Sequence, residues 1–392
     1  MFKTKREPLF HLTKRTEVKK RYAWSIRVSA FVLSILVCAI VSTILTDKPM
    51  GFFFKYLFNG TFGTPRNIWV LFYETAVLLL VALAVTPCFK MRFWNIGGEG
   101  QILMGALGCG VVIHFMGGKS PDGLVIFVSL LSAFAFGIAW SVIPALFKAK
   151  WNTNETLLTL MMNYIAICLV EFFIKSVIPF STGILTFKEG FINLSSATST
   201  YTLVIIMAAI MTVLMWVYLK FSKHGYELTV VGESEKTSQY IGLNTKGVIV
   251  RTLVLCGALC GLIGFLLVSN TNHAIGSNTV AGRGFTGLLV SWLAQFNPFA
   301  MALTSFLVVF ITNGSSQVGN YARLGMAYPQ VMTGIFFFFI IATEFFINYK
   351  IMFKSKKVVG HDVDNNKESA EQTTNITKDE SMLGETVIKE EI

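Results

Sequence analysis

The chain has 392 residues, of which 53% are hydrophobic and only 14% are charged. Soluble domains carry roughly 25% charged residues, so this composition excludes an ordinary water-soluble fold. The formal charge is +11, but nine basic residues lie within the first 27, just before the first apolar run. That placement is typical of retention on the cytoplasmic side of a membrane and not of nucleic-acid binding.

The apolar residues fall into runs long enough to cross a membrane as helix. The first run, 26–46, has no A-x-A-like cleavage site and is expected to stay as a span. We expect a basic cytoplasmic segment (1–25), a transmembrane domain (26–350) and a disordered cytoplasmic tail (351–392), because the tail is polar and has no apolar face. The candidate spans are 26–46, 68–89, 101–116, 123–147, 156–174, 201–221, 248–269, 286–296, 298–313 and 328–349.

The pattern therefore predicts an all-α, polytopic helical bundle with about ten transmembrane segments. Basic residues recur in every second connection, at Lys90, Lys148 and Lys223 among others, which indicates that these connections and both termini are cytoplasmic. The segment 286–296 is too short to span. It is predicted to be half of a broken helix or a re-entrant segment, which requires a protein or water-filled surrounding at membrane depth.

The most informative interruption separates the second and third spans with glycines, amides and a carboxylate. An unusual backbone beside polar side chains can hydrogen-bond a solute, and charges at membrane depth are candidates for function. A cytoplasmic turn with a solvated carboxylate is the alternative. The candidate solute-path residues in this stretch are Asn95, Gly97, Glu99, Gly100 and Gln101.

A second interruption opens the segment 286–296 with Gly282-Arg283-Gly284, and it adds Arg283, Phe285 and Thr286 as candidate path residues. The two Gly-charge-Gly elements suggest an internal repeat whose broken helices meet. Asn163 is a further candidate, because it continues a polar strip along the fifth span. Hydrogen bonding between helices explains that strip equally well.

The longest internal polar connection runs from residue 222 to residue 251. Its centre is compatible with a short surface helix bounded by Gly232 and Gly242, although a solvated connector is also possible. Nucleotide chemistry is not expected of this chain. The run GGKS at 117–120 resembles the end of a phosphate-binding loop, but Ile113 stands where the first glycine is required.

Several of these stretches together resemble the permease subunits of ABC importers for nucleosides and simple sugars, which are grouped with branched-chain amino acid and ribose permeases. The resemblance covers roughly residues 65 to 350. It rests on NIGGEGQILMGA (95–106), NETLLTLMMNYIA (154–166), GYELTVVGESEKTSQYIGL (225–243), GRGFTGLLVSWLAQFNP (282–298) and Glu74-Thr75.

The resemblance implies a bacterial cytoplasmic-membrane permease that binds no cofactor and pairs with ATP-binding subunits, an extracytoplasmic solute-binding protein and a second permease or a second copy of itself. It implies that the connection 225–243 docks on the ATPase. The coupling residues would be Glu233, Glu235, Tyr240 and Gly242. Lys236 and Thr237 depart from the two alanines usual in the family.

Two other classes of function remain open. An ion-driven secondary transporter would use Glu99, Glu171 and Arg283 as relay groups. A membrane enzyme or scaffold is disfavoured, because no nucleophile-and-base or metal-binding pattern occurs.

Overall fold

The computed structural model describes residues 10–14, 20–179, 183–194, 196–325 and 327–353. The chain divides into two compact units, one formed by Met1–Arg27 with Thr343–Ile392 and the other by Val28–Ala342. The described helices are α1 (Lys20–Thr46), α2 (Met50–Phe62), α3 (Pro65–Lys90), α4 (Gly98–Met116), α5 (Asp122–Trp151), α6 (Glu155–Val177), α7 (Ala197–Phe221), α8 (Lys223–Glu233), α9 (Glu235–Tyr240), α10 (Thr245–Phe265), α11 (Arg283–Leu293), α12 (Pro298–Tyr321) and α13 (Ala327–Asn348). The described strands are β1 (Phe10–Lys14), β2 (Ile184–Thr186), β3 (Ala274–Gly276) and β4 (Tyr349–Phe353).

The two short sheets lie in different units. In the first unit β1 pairs antiparallel with β4, with Leu12 opposite Ile351. In the second unit β2 pairs antiparallel with β3, with Leu185 opposite Ile275. The predicted tail, 351–392, lies outside the described residues except for its first three, which belong to β4.

The prediction of a helical membrane bundle is confirmed: nine helices within the described residues are long and apolar enough to cross a membrane. Side-chain caps mark where several of them begin. Asn154 accepts a hydrogen bond from the Leu157 amide (3.2 Å), and Asn297 accepts one from the Phe299 amide (3.1 Å). These contacts satisfy backbone donors that the first turn of a helix leaves without partners.

Helices α3, α4 and α10 are the most buried of the spans. Helix α10 packs against α4 and α5 because three glycines, four and three residues apart, leave room on its surface. A methyl group added at Gly264 would lie 2.8 Å from the Gly105 carbonyl carbon, and one at Gly257 would lie 2.7 Å from the Ser141 Cβ. A π-helical segment, Leu266–Asn272, continues α10.

The structure differs from the sequence prediction in three elements. The eighth candidate is the short helix α11, which starts at Arg283, three residues before the predicted start. Helix α2 was not predicted, since its apolar run is only about nine residues long, too short to suggest a span. The connection after α7 is not a loop, because α8 occupies most of its first half.

Candidate functional site

The two glycine-rich interruptions meet inside the bundle. Both Gly-charge-Gly elements begin a helix, α4 after Gly97 and α11 after Gly282. A methyl group added at Gly284 would lie 2.6 Å from the Cα atom of Glu99, so only glycine allows this approach of the two backbones. We call this contact, formed by residues 97–101 and 282–284, the glycine junction.

Glu99 joins the two helices of the glycine junction. One carboxylate oxygen accepts a hydrogen bond from the Gly282 amide (2.8 Å), and the other accepts one from the Gly284 amide (2.7 Å). A carboxylate at the start of a helix interacts favourably with the positive end of the helix dipole. Glu99 lies on α4 and is half-buried. Because it accepts hydrogen bonds from amides at the start of α11, its side chain caps that helix.

The Arg283 side chain is also paired. Its guanidinium lies 2.6 Å from a carboxylate oxygen of Glu74 on α3. Three helices, α3, α4 and α11, are thus joined by two acidic side chains and one basic side chain. Thr286 donates a hydrogen bond to the Gly282 carbonyl (3.2 Å), and the neighbouring Phe285 is 41% exposed.

The start of α4 is held by the polar strip of α6. Asn163 accepts a hydrogen bond from the Gly100 amide (2.8 Å) and donates one to the Ile96 carbonyl (3.0 Å). Thr159 accepts one from the Ile96 amide (3.2 Å). The backbone groups freed by the broken helix are therefore satisfied by protein side chains, as membrane depth requires.

Asn95 and Gln101 are each only 1% exposed and face each other rather than an open space. Each amide nitrogen lies 3.4 Å from the other side chain's oxygen. The Asn95 oxygen also accepts a hydrogen bond from the Gly97 amide (3.1 Å). These two residues stabilise the turn that precedes α4.

A cavity of about 860 Å³ lies beside the glycine junction. We call it the polar cavity. It reaches Arg283 at the start of α11 and Glu171 and Lys175 on α6, and it is bounded by the two-stranded β2–β3 sheet. Its other lining residues are Gly183, Ile184, Asn272, Ala274, Ile275, Gly276, Ser277, Asn278, Thr279 and Ala281.

The polar cavity and the basic connections lie at opposite ends of α6. Glu155, at the first end, forms a salt bridge of 2.8 Å with Lys148. Glu171 and Lys175 follow it by sixteen and twenty residues, which is about 24–30 Å of helix at 1.5 Å per residue. The cavity therefore lies a membrane thickness away from the basic end.

His273 lies between the cavity residues Asn272 and Ala274 in the chain. Burial lowers the pKa of its imidazole below the ordinary value. The ring stacks on Phe191, with the ring centres 4.1 Å apart. This contact ties the connection before α7 to the end of the π-helical segment.

At the basic end, α8 and α9 form a platform against the ends of α3, α7 and α10. Glu227 of α8 is ion-paired with Arg251 of α10. A methyl group added at Gly232 of α8 would lie 3.3 Å from the Cα atom of Met91, which directly follows α3. These contacts fix the platform to the spans, so a force applied to it would reach α3 and α10.

The predicted coupling residues lie on the outer side of this platform. The side chains of Glu233, Glu235 and Tyr240 are exposed, and Tyr240 is 90% exposed. Gly242 has a φ of +81°, a left-handed conformation that glycine adopts without steric cost. The expected short helix is confirmed as α9, and the glycine follows its end.

Most of the predicted path residues lie at the starts of α4 and α11, but their surroundings differ. Of the predicted path residues, Arg283 alone lines the polar cavity, and Glu171, the relay candidate of the ion-driven alternative, lines it as well. The cavity residues Lys175, Asn272 and Asn278 were not predicted. A signal was present, since Ser269–Asn272 and Ser277–Thr279 are polar runs immediately after a long span.

Comparison with known proteins agrees with this architecture. Residues 67–342 match the family described as branched-chain amino acid transport system, permease component. The chain belongs to this permease family. The matched region begins in α3 and ends in α13, so it includes the glycine junction, the polar cavity and the α8–α9 platform.

Individual relatives are similar over most of their length. The guanosine ABC transporter permease protein of Bacillus subtilis (strain 168) is 27% identical over 315 residues, covering 78% of this chain and 88% of the relative. A nucleoside ABC transporter permease protein of Lactococcus lactis subsp. cremoris (strain MG1363) is 25% identical, covering 84% and 93%. The glucose ABC transporter permease protein of Haloferax volcanii is 24% identical, covering 70% and 76%.

Proposed function

We propose that this permease is the membrane subunit of an ATP-binding-cassette importer and that it conducts a nucleoside or a related simple sugar. The single observation that carries the proposal is the family match across the transmembrane core, together with nucleoside, guanosine and glucose permeases among the relatives. The chain itself binds no ATP in this proposal. Separate ATPase subunits bind it at the cytoplasmic face.

The α8–α9 platform supports the coupling part of the proposal. An aromatic side chain that is 90% exposed at the basic end, beyond the spans, faces neither lipid nor core. Exposed aromatic residues are enriched in protein–protein interfaces, where they supply much of the buried area. Tyr240 would enter the ATPase surface, with Glu233 and Glu235 at the rim.

The basic end is cytoplasmic in this proposal, following the positive-inside bias. The polar cavity then opens toward the side from which a solute-binding protein delivers its cargo. ATP-driven movement of the platform would shift α3 and α10, which contact the glycine junction, and so change access between the cavity and the cytoplasm. A second permease, or a second copy, would complete the path in the bacterial cell membrane.

A transport experiment in cells tests the function. Uptake of labelled adenosine, ribose and leucine is measured with and without this chain, and the three solutes are competed against one another. We expect loss of adenosine or ribose uptake when the chain is deleted, and the same loss when the ATPase subunit is deleted. Unchanged uptake of all three solutes would contradict the proposal.

Adding a protonophore to the uptake experiment distinguishes the ATP-driven importer from an ion-driven secondary transporter. Uptake that survives loss of the ATPase subunits and collapses with a protonophore would identify a secondary transporter. Such a transporter needs a free titratable group in its path. Both carboxylate oxygens of Glu99 accept hydrogen bonds from backbone amides, and Arg283 is paired with Glu74. Glu171 is therefore the relay candidate that such a transporter would use, and the protonophore result decides between the two functions.

A further inference from the structure

The charges that line the polar cavity balance one another. Arg283 is neutralised by Glu74 at 2.6 Å. Glu171 and Lys175 add one negative and one positive charge, and they stand four residues apart on α6. A phosphorylated solute needs positive charge that is not already compensated. The cavity therefore favours a solute without net charge.

The Glu171 carboxylate is available to a ligand. Within the part of the chain that the structure describes, it forms neither a salt bridge nor a side-chain hydrogen bond, and it is half-buried. An ionised carboxylate is an acceptor only, with two oxygens side by side. Two hydroxyl groups on neighbouring carbon atoms present two donors at a matching separation. Carboxylates bind ribose hydroxyls in this way in nucleotide-binding folds.

The remaining polar lining is uncharged. Asn272, Ser277, Asn278 and Thr279 offer both donors and acceptors, which suits hydroxyl and ring-oxygen groups. The volume of about 860 Å³ lies within the range of roughly 300–1,000 Å³ that is usual for small-molecule sites. No aromatic side chain is among the described lining residues, so the site has no platform on which a base would stack.

We propose that the polar cavity binds an uncharged solute through its sugar hydroxyls, and that Glu171 accepts hydrogen bonds from two neighbouring hydroxyl groups. This proposal rests on the proposed function and deepens it. Glu171 selects for a vicinal diol, so it discriminates between a ribonucleoside, which has hydroxyl groups on C2′ and C3′, and a 2′-deoxyribonucleoside, which has no such pair. Lys175 limits the cost of holding the carboxylate away from water.

Protection of a reporter cysteine tests the site directly. Ser277→Cys is introduced in a Cys168→Ala background, because Cys168 is exposed whereas the other five cysteines are buried. Right-side-out vesicles carrying the whole transporter, from a strain without the binding protein, are treated with a membrane-impermeant maleimide. Adenosine, 2′-deoxyadenosine and adenosine monophosphate are added at increasing concentrations.

We expect adenosine to protect Ser277→Cys at a concentration about tenfold lower than 2′-deoxyadenosine. Tenfold corresponds to one hydrogen bond to a charged acceptor. Adenosine monophosphate should protect no better than 2′-deoxyadenosine. Adding Glu171→Gln should reduce the tenfold ratio to about one. The half-protecting concentration does not depend on the amount of protein, so a lower yield of the variant leaves the result interpretable.

Two controls set the background. Glu189→Gln changes an exposed carboxylate in the connection before α7 that does not line the cavity, and it should leave the ratio at about ten. Thr198→Cys, an exposed position outside the cavity, should label equally with and without sugar. Equal protection by adenosine and 2′-deoxyadenosine in the parent protein, or an unchanged ratio in Glu171→Gln, would overturn the inference.

The proposed function is judged separately by labelled uptake in cells. Uptake that depends on the ATPase while Glu171→Gln keeps the tenfold ratio refutes only the inference. Uptake that does not depend on this chain refutes the function. Protection that requires the binding protein would assign the discrimination to that partner and overturn the role of Glu171.

Discussion

Replacing Glu99 by glutamine tests whether this side chain holds α11 against α4. The carboxylate accepts two amide hydrogen bonds, at 2.8 and 2.7 Å. Glutamine keeps one acceptor oxygen, but its NH₂ group would face the other amide. A hydrogen bond to a charged group contributes about 1.5–3 kcal/mol. The lost charge at the helix start adds about 0.3–1 kcal/mol.

The expected destabilisation of Glu99→Gln is therefore about 2–4 kcal/mol. At about 2 °C per kcal/mol for a large domain, the Tm of the purified protein in detergent should fall by roughly 4 °C or more. Uptake in cells should fall as well, because α11 loses its position beside the polar cavity. Glu99→Ala should impair uptake at least as strongly.

Asp122→Asn is the matched control. Asp122 is an exposed carboxylate in the first turn of α5, so only its interaction with the helix dipole is lost, at about 0.3–1 kcal/mol. If Glu99→Gln changes Tm and uptake no more than Asp122→Asn does, the capping role is wrong. Glu99 would then be a solvated carboxylate in a turn, the alternative that the sequence left open.

Three other predictions follow from the same contacts. Gly284→Ala should lower the free energy of unfolding by about 1–3 kcal/mol, because the added methyl group overlaps Glu99. Gly51→Ala, at a helical position where an added methyl group would have no atom within 4 Å, should raise it by about 0.4–1 kcal/mol. A Tm that shifts in the same direction for both variants would contradict the glycine junction. Tyr240→Ala should leave membrane abundance unchanged but reduce solute-stimulated ATP hydrolysis at least tenfold, and wild-type stimulation would refute the docking role. In a double-mutant cycle of Arg283→Gln and Glu74→Gln, unfolding should give a coupling free energy of about 1–3 kcal/mol, and additive effects would show that the pair is solvated.

The local sequence pattern was sufficient to locate part of the candidate site. Glycines on both sides of a charge, placed next to apolar runs, indicated two interruptions at which helices begin, although α4 and α11 begin at 98 and 283, three residues before the predicted spans. Residues 286–296 were recognised as too short to span. Spacing along one chain segment is enough for such features, because a helix start depends on residues within one turn.

Partners across the bundle were not predictable in this way. The sequence did not pair Glu99 with the amides of Gly282 and Gly284, about 185 residues away, nor Arg283 with Glu74. The sequence does not show whether the partner of a polar side chain is water, a solute or a distant backbone amide. Only the packing of helices decides which of these it meets.

Composition and the spacing of apolar runs determined that this protein is a helical membrane bundle, because a hydrocarbon layer accepts few other structures. Tertiary structure alone decided which polar residues hydrogen-bond to the broken helices and which remain available to a solute. Asn95, Gln101 and Asn163 belong to the first group, and Glu171 belongs to the second. The physical reason is that each buried polar group must find a partner, and the fold determines which partners are within reach.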